Sequence, residues 1–391
     1  MRKKKIYFEC SALVADHFSG VGHYVKGIAQ AWDNYIALPE HSLLQSQQKS
    51  RFNTVLFASK NRMNRLTKFR IEHMTKKSIL LPARIIHKLL DKGVLPPLDL
   101  WFGRGTYFFT NFSRYPLFKS KSATVIYDIS YEIVPQYADA NNARYLSKIV
   151  RQAVSKSDLI ITISNYTKKE LVDFYNLNPK NVIVAYPAVD RSHFYKRSEW
   201  EIDKVKRKYS LPDNYILFVG NIEPRKNISL LIDAYTKLPK EYSDKHPLLL
   251  VGANGWLSEK IFEKLDKAEK NGYKIIRPNS YVDDSDIPAV YSGAFMLVYP
   301  SHYEGFGMPP LEAMSCGVPV VVSDNTSLPE VVGEAGILVK STDQKGILDA
   351  MVKIMSEDSL RKSLIQKGYE QTKKFSWDAS AQKIYKALLE L

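Results

Sequence analysis

Two glutamates with seven residues between them, Glu304 and Glu312, stand in the stretch Tyr299-Pro-Ser-His-Tyr-Glu-Gly-Phe-Gly-Met-Pro-Pro-Leu-Glu312. Carboxylates accept hydrogen bonds from hydroxyls such as those of a sugar or ribose. Between them, Gly305 and Gly307 let backbone amides close on an anion at a helix N-terminus, with Phe306 and Met308 beside them. Upstream, Arg225 and Lys226 follow a run ending in Gly220. An arginine binds a diphosphate in a planar fork and a lysine binds it as a point charge. Nearer the start, Ser19-Gly20-Val21-Gly22 and the pair Tyr127-Asp128 offer a close backbone approach and a further carboxylate. Together these residues suit a phosphorylated ligand bearing hydroxyls.

Each candidate lies where a strand gives way to a helix. Ala294-Phe-Met-Leu-Val298 is short and apolar enough for a buried parallel strand. Pro309 and Pro310 suit a helix start, with the helix expected over Leu311–Ser315 and ended by Gly317 and Pro319. Strands at Lys4–Cys10, Thr54–Phe57, Ser122–Asp128, Asp158–Ser164 and Val182–Ala185 make a first parallel sheet. Tyr215–Gly220, Leu248–Gly252, Tyr273–Ile276, Val318–Val322 and Gly336–Val339 make a second. Open sheets of this kind bind ligands at the carboxyl ends of their strands. Leu95–Phe109 reads as a loop shaping an acceptor site or as a strand near Tyr107–Thr110. Tyr186 to about Lys208, charged and less apolar, reads as a linker. Asp283-Asp-Ser-Asp286 contains Asp-x-Asp, elsewhere a metal signature, but it precedes the helical run Ile287, Val290, Tyr291 and reads as a helix cap with first-turn acids.

The central stretch resembles the motif of glycosyltransferase family 4, enzymes of the GT-B fold. Gly317-Val-Pro-Val-Val-Val-Ser323, Ser327-Leu-Pro-Glu330-Val-Val, and Arg225 with Lys226 also match the family pattern. So does the order strand, Ser164-Asn165, helix, strand, then Pro187-x-x-Asp190. The resemblance implies an α/β chain of two doubly wound, Rossmann-like domains facing across a cleft. An acceptor-binding domain would span 1–197 and a nucleotide-sugar domain 205–372, with a last helix in 373–391 crossing back to the first. It implies a retaining transfer with Asp128, Arg225, Lys226 and Glu304 as catalytic residues. Gly20, Gly22, Gly220, Arg225, Lys226, Glu304, Gly305, Phe306, Gly307, Met308 and Glu312 would hold the donor, and Tyr127 and Asp128 the acceptor. The family usually has histidine where this chain has Tyr127, and a phenol with a pKa of about 10 is a poor base near neutrality. The closest motif likeness is to bacterial mannosyl- and rhamnosyltransferases of surface polysaccharide and lipopolysaccharide assembly. That puts GDP-mannose first as donor, with UDP- or dTDP-sugars behind it.

Length and composition agree. A chain of 391 residues exceeds one ordinary core, and 45% apolar with 25% charged residues is a globular balance. Cys10 and Cys316 read as buried thiols of a reducing compartment, without disulfide or zinc framework. Glu9 and Asp16 interrupt the apolar stretch after the basic start, so no signal peptide is expected. No run reaches the roughly 20 apolar residues of a membrane span, and a cytoplasmic protein is expected. Residues 1–121 hold 21 lysines and arginines against 7 acids, nearly all of the net +15. The densest part, 60–92, has partly helical apolar spacing and suggests peripheral contact with an anionic membrane at its inner face.

The resemblance implies a hexosyltransferase, expected to need neither metal nor cofactor. It would take a nucleotide-sugar donor and a glycan or lipid-diphosphate-linked acceptor, and no nucleic acid. Arg225 and Lys226 would neutralise the diphosphate without a metal. The rivals are another GT-B enzyme, such as an epimerase or phosphorylase, and a basic non-catalytic membrane or nucleic-acid binder. The last leaves Glu304, Glu312, Arg225 and Lys226 without a task.

Overall fold

In a computed structural model, residues 4–14, 19–37, 52–63, 65, 66, 69 and 71–391 are described. Asp16, the basic start Met1–Lys3, and residues 64, 67, 68 and 70 of the 60–92 stretch lie outside them. The chain divides into two compact units, Met1–Glu132 with Ala140–Pro187 and Ser376–Leu391, and Ile133–Asp139 with Ala188–Phe375.

The first unit holds seven strands: β1 (Lys4–Glu9), β2 (Phe52–Ser59), β3 (Thr75–Ile79), β4 (Thr106–Phe109), β5 (Lys121–Val125), β6 (Leu159–Thr162) and β7 (Val182–Val184). They pair in parallel in the order β3-β2-β1-β4-β5-β6-β7. Every residue of β4 and β6 is buried, as expected when helices cover both faces of a parallel sheet. The edge strand β3 carries Lys76 and Lys77, a common way to blunt an open edge. The stretch Leu95–Phe109 contains both a short helix, Leu98–Phe102, and β4.

The C-terminal helix Trp377–Glu390 belongs to this unit and packs on the helix Gly20–Ala37. A Cβ on Gly27 would lie 2.4 Å from the Trp377 ring, so only glycine permits this approach. Trp32 and Tyr35 meet Tyr385 edge-on at 5.2 and 5.4 Å. Buried aromatic pairs of this kind contribute about 0.5–1.5 kcal/mol each beyond their area.

The second unit holds β8 (Ile216–Val219), β9 (Leu248–Val251), β10 (Ile275–Ile276), β11 (Met296–Tyr299), β12 (Val320–Ser323) and β13 (Gly336–Val339). Their order, β10-β9-β8-β11-β12-β13, is parallel throughout and reverses direction between β8 and β11. That reversal leaves a crevice beyond the carboxyl ends of these two strands. The expected linker is not free. Its second half is the helix Glu199–Tyr209, started by a Ser198–Glu201 capping box. Lys196 Nζ bonds Ser292 O at 2.6 Å, and Ser315 Oγ bonds Phe194 O at 2.6 Å, which tie the segment to the second unit.

Candidate active site

The loops after β8 and β11 meet at the switch point of the second sheet. Gly220, at φ 146°, follows β8 directly, and a Cβ on Gly252 would lie 2.0 Å from its carbonyl oxygen. The chain then runs through Glu223 into the turn Pro224–Lys226 and the helix Ile228–Tyr235. Between turn and helix, Asn227 adopts a left-handed conformation and its Nδ2 donates to Pro300 O at 3.0 Å and Ser341 O at 2.7 Å. His302 N in turn donates to Arg225 O at 2.9 Å. The two loops are therefore stitched by backbone groups before any charge is counted.

Charge completes the join. Glu304 is buried; its Oε1 accepts from Lys226 Nζ at 2.7 Å and its Oε2 from Arg225 Nη1 at 3.3 Å. Arg225 Nη1 also donates to Tyr303 O at 2.6 Å, and its Nη2 donates to Glu223 Oε1 at 2.7 Å. Burial alone would raise the Glu304 pKa, but the Lys226 ammonium and Arg225 guanidinium outweigh it and hold the carboxyl at about 2. Burial draws the Lys226 ammonium below the ordinary lysine range, against the pull of Glu304. Its Nζ also donates to Tyr299 OH at 2.6 Å. Two cations and two carboxylates are thus packed together, which survives burial only because each is paired.

The backbone of the β11 loop is fixed as firmly. Thr326 Oγ1 accepts from Glu304 N at 3.2 Å, and Ser327 Oγ lies 2.8 and 2.6 Å from the carbonyl oxygens of Glu304 and Phe306. Gly307, at φ 116°, precedes the helix Met308–Ser315, and a Cβ there would meet Leu328 at 2.7 Å. This helix starts three residues before the expected Leu311, because Pro309 and Pro310 need no amide partner in the first turn. Gly305 is buried, Met308 is half-buried, and Phe306 packs its ring on Phe375 with centroids 5.4 Å apart. Glu312 stands one helical turn further on, outside the ion cluster, and accepts from Tyr291 OH at 2.7 Å. Burial pushes its carboxyl up to about 7.

Gly20, Gly22, Tyr127 and Asp128 belong to the first unit. Gly20 opens the helix Gly20–Ala37, so Gly22 lies in its first turn rather than in a loop. Tyr127 is buried, its OH donates to Thr110 O at 2.7 Å, and burial lifts the phenol well above its ordinary range. Asp128 Oδ1 accepts from Ser130 N at 3.0 Å and Ser130 Oγ at 2.9 Å, which starts the short helix Ser130–Ile133. Where β1 and β4 end, a cavity of about 160 Å³ is lined by Glu9, Ser11, Ser19, His87, Asn111 and Tyr115 among others. Glu9 is buried and accepts from Ser11 N at 2.7 Å and Thr110 Oγ1 at 2.9 Å. Neither Glu9, read from sequence only as a break in an apolar stretch, nor Glu223 carries a site role there, although each stands at or just beyond the carboxyl end of a central strand.

The aspartates of 283–286 do not cap the following helix Ile287–Ser292 through their side chains. Asp283 and Asp286 accept instead from Lys208 Nζ at 2.8 and 2.6 Å, and both also take Tyr209 OH. Among the described residues no group of three or more His, Cys, Asp or Glu side chains could hold a metal ion. Cys10 and Cys316 are buried free thiols.

Two doubly wound sheets in one chain, with paired ions at the switch point of the second, are the arrangement expected of the GT-B fold. The sequence profile described as glycosyl transferases group 1 matches residues 199–371. O-antigen chain mannosyltransferase B of Escherichia coli is 39% identical over 259 residues, covering 66% of this chain and 67% of that protein. The serotype-specific mannosyltransferase WbdA of Escherichia coli is 34% identical over 240 residues, 61% of this chain; the chain spans only 29% of that longer protein. HepE of Anabaena, solved in complex with UDP, has the same fold, with a TM-score of 0.69 over 99% of this chain and 100% of that one at 16% identity. WaaG, a glycosyltransferase involved in lipopolysaccharide biosynthesis, superposes with a TM-score of 0.68 over 98% of this chain and 99% of its own, at 13% identity. The chain belongs to the group 1 glycosyltransferases.

Proposed function

We propose that this protein transfers mannose from GDP-mannose, with retention and without a metal, to a growing glycan in the assembly of a bacterial surface polysaccharide such as O-antigen. The observation that carries the reading is the charge-paired cluster of Arg225, Lys226, Glu304 and Glu223 at the switch point of the second sheet. Departure of the nucleoside diphosphate concentrates negative charge on its outer phosphate. Two fixed cations there stabilise that charge more in the transition state than in the ground state. The diphosphate competes with Glu304 for the donors of Arg225 and Lys226, which turns Glu304 toward the hydroxyls of the donor sugar. Glu312 then serves the ribose, and the amides at Gly305 to Met308 the phosphates. The bond from the sugar C1 to the diphosphate breaks as a bond to the acceptor hydroxyl forms on the same face, and the hydroxyl proton leaves with the diphosphate.

Support for mannose comes from the E. coli relatives, both named as mannosyltransferases and one as acting on the O-antigen chain. The hydroxyl-rich cavity beside Glu9 suits an acceptor sugar, with Asp128 at the end of the neighbouring strand. Buried free thiols fit a reducing cytoplasm, and a lipid-diphosphate-linked acceptor would bring the enzyme to the inner face of the membrane.

Thermal stabilisation by GDP-, UDP- and dTDP-sugars, with and without EDTA, tests the donor. A shift confined to GDP-mannose and indifferent to EDTA supports the reading. A shift that EDTA abolishes removes metal independence, and one confined to a UDP-sugar replaces the donor. The anomeric configuration of the product, read by NMR, tests retention.

A further inference from the structure

Trp101 and Phe118 face solvent in a part of the first unit that is otherwise tightly built. Leu100, Trp101 and Phe118 are 68%, 53% and 65% exposed. Single exposed apolar residues are ordinary, but three large ones in one fixed knot are not. The knot is held by Asp99, which is buried and turned inward from the helix Leu98–Phe102. Its carboxylate accepts from the amides of Phe118, Lys119 and Ser120 at 2.7, 2.8 and 2.9 Å, while Leu98 N donates to Pro116 O at 2.9 Å. Phe118 is thereby pinned on a loop beside Leu100 and Trp101, outward, where a slack loop could fold its ring onto the core.

The surroundings are basic. Between residues 71 and 121 there are nine lysines and arginines against Glu72, Asp91 and Asp99. Asp99 is spent on the amides, and Asp91 is paired with Lys148 at 2.5 Å. Lys119 Nζ lies 5.3 Å over the Phe118 ring and Lys77 Nζ 5.8 Å over that of Phe102, with Arg104 exposed nearby. In the basic stretch 60–92 the apolar residues divide, with Leu80 and Ile85 exposed and the others turned inward. Ile86 is buried there, and Leu89 and Leu90 pack on the same core cluster.

We infer that this knot is a membrane-docking wedge: Leu100, Trp101 and Phe118 enter the headgroup–acyl boundary of an anionic bilayer while Lys77, Arg104 and Lys119 meet its lipid phosphates. Aromatic side chains favour that boundary, and basic neighbours add attraction to anionic lipid. The placement has a consequence for the acceptor. The knot lies where the chain enters β4 and β5, at the amino-terminal edge of the sheet, whereas Glu9 and Thr110 stand at the carboxyl edge. Docked by the wedge, this unit turns its carboxyl edge away from lipid. A glycan reaches it through its own length, not by its lipid end. That last step rests on the transferase reading; the docking itself does not.

The test is flotation of the full chain with phosphatidylcholine vesicles, with and without phosphatidylglycerol, at low and high salt. Wild-type protein should float with the anionic vesicles, more at low salt, with a blue shift in tryptophan emission that Trp101→Phe removes. Trp101→Ser combined with Phe118→Ser should weaken binding at least about tenfold, and Lys119→Gln about fivefold. The double variant should keep its melting temperature, its donor stabilisation and its transfer to a soluble acceptor. Wild-type protein that never floats, or a double variant that floats equally well, would overturn the inference. So would a wild-type dimer, seen in sedimentation velocity, that the double variant abolishes, since the knot would then be a contact between copies. Absence of transfer in the wild type strikes the enzymatic reading and leaves the vesicle result standing.

Discussion

At the carboxyl ends of β8 and β11, buried Glu223, Lys226 and Glu304 and half-buried Arg225 form one charge-paired cluster. At the corresponding reversal of the first sheet, where β1 and β4 end, the only buried carboxyl among the described residues is Glu9, and its partners are an amide and a threonine hydroxyl. The surrounding cavity adds hydroxyls, an amide, an imidazole and a phenol. The two sheets place different chemistry at equivalent strand ends. Strong fixed charges suit a diphosphate such as that of a GDP-, UDP- or dTDP-sugar. Neutral donors and acceptors suit the hydroxyls of a sugar, where a misplaced charge would be left unpaired on desolvation.

Substitutions should separate the two ends. Arg225→Ala should lower transfer by about 10²–10³, the worth of one preorganised group at a developing charge, and should abolish stabilisation by donor. Glu304→Ala should do the same and also lose roughly 3–5 kcal/mol of stability, since buried Lys226 is left without its counter-charge. Glu9→Gln should leave donor stabilisation untouched and raise the acceptor KM about tenfold, in keeping with one or two altered hydrogen bonds. The comparison breaks if Glu9→Gln abolishes donor stabilisation while Arg225→Ala changes only the acceptor KM.

Glu223 sharpens the comparison from inside the charged end. It is 1% exposed and touches the arginine of the cluster only through Oε1; its Oε2 has no hydrogen-bond partner among the described residues. Its task in this reading is to aim the Arg225 fork. Glu223→Gln should keep the fold, lower kcat by about tenfold and change donor affinity little, because the guanidinium remains but is held less firmly. A tenfold loss confined to donor affinity, with kcat intact, would make Glu223 part of the binding surface instead.

The two-sheet plan was legible because parallel strands buried on both faces are written as apolar runs: Leu-Leu-Leu-Val at β9, Val-Val-Val-Ser at β12. Arg225, Lys226 and Glu304 could each be named from motif and strand-end placement, but not the ion pairs that join them, which depend on β8 and β11 becoming neighbours in the sheet. Less could be read where long-range partners decide. Nothing local marks Phe194 to Tyr209 as packed on Ser292 and Ser315, because a charged, capped helix and a solvated linker look alike in sequence. The capping expected of Asp286 lost to Lys208 and Tyr209, more than seventy residues away. Tyr127, read as a possible sugar contact, meets Thr110 across the sheet edge, and periodicity carries no information on such a partner.

The smallest effect distinguishes the two glutamates of the central motif. The Glu304 carboxyl is held at about 2, below the roughly 4.3 of an unfolded glutamate, so it contributes stability above that value which is lost as pH falls toward 2. Glu312 is opposite in sign. Burial pushes it up to about 7, so the folded chain keeps a proton that the unfolded chain has released. Its contribution is complete below about 4.3 and declines as pH rises through 7. Glu312→Gln removes that decline while an amide oxygen can still accept from Tyr291. The difference in Tm, variant minus wild type, should therefore grow between pH 4.5 and pH 8, by a few degrees. A difference that stays level, or shrinks, across that range would mean that Glu312 is ionised throughout, and that both glutamates answer to the same cations.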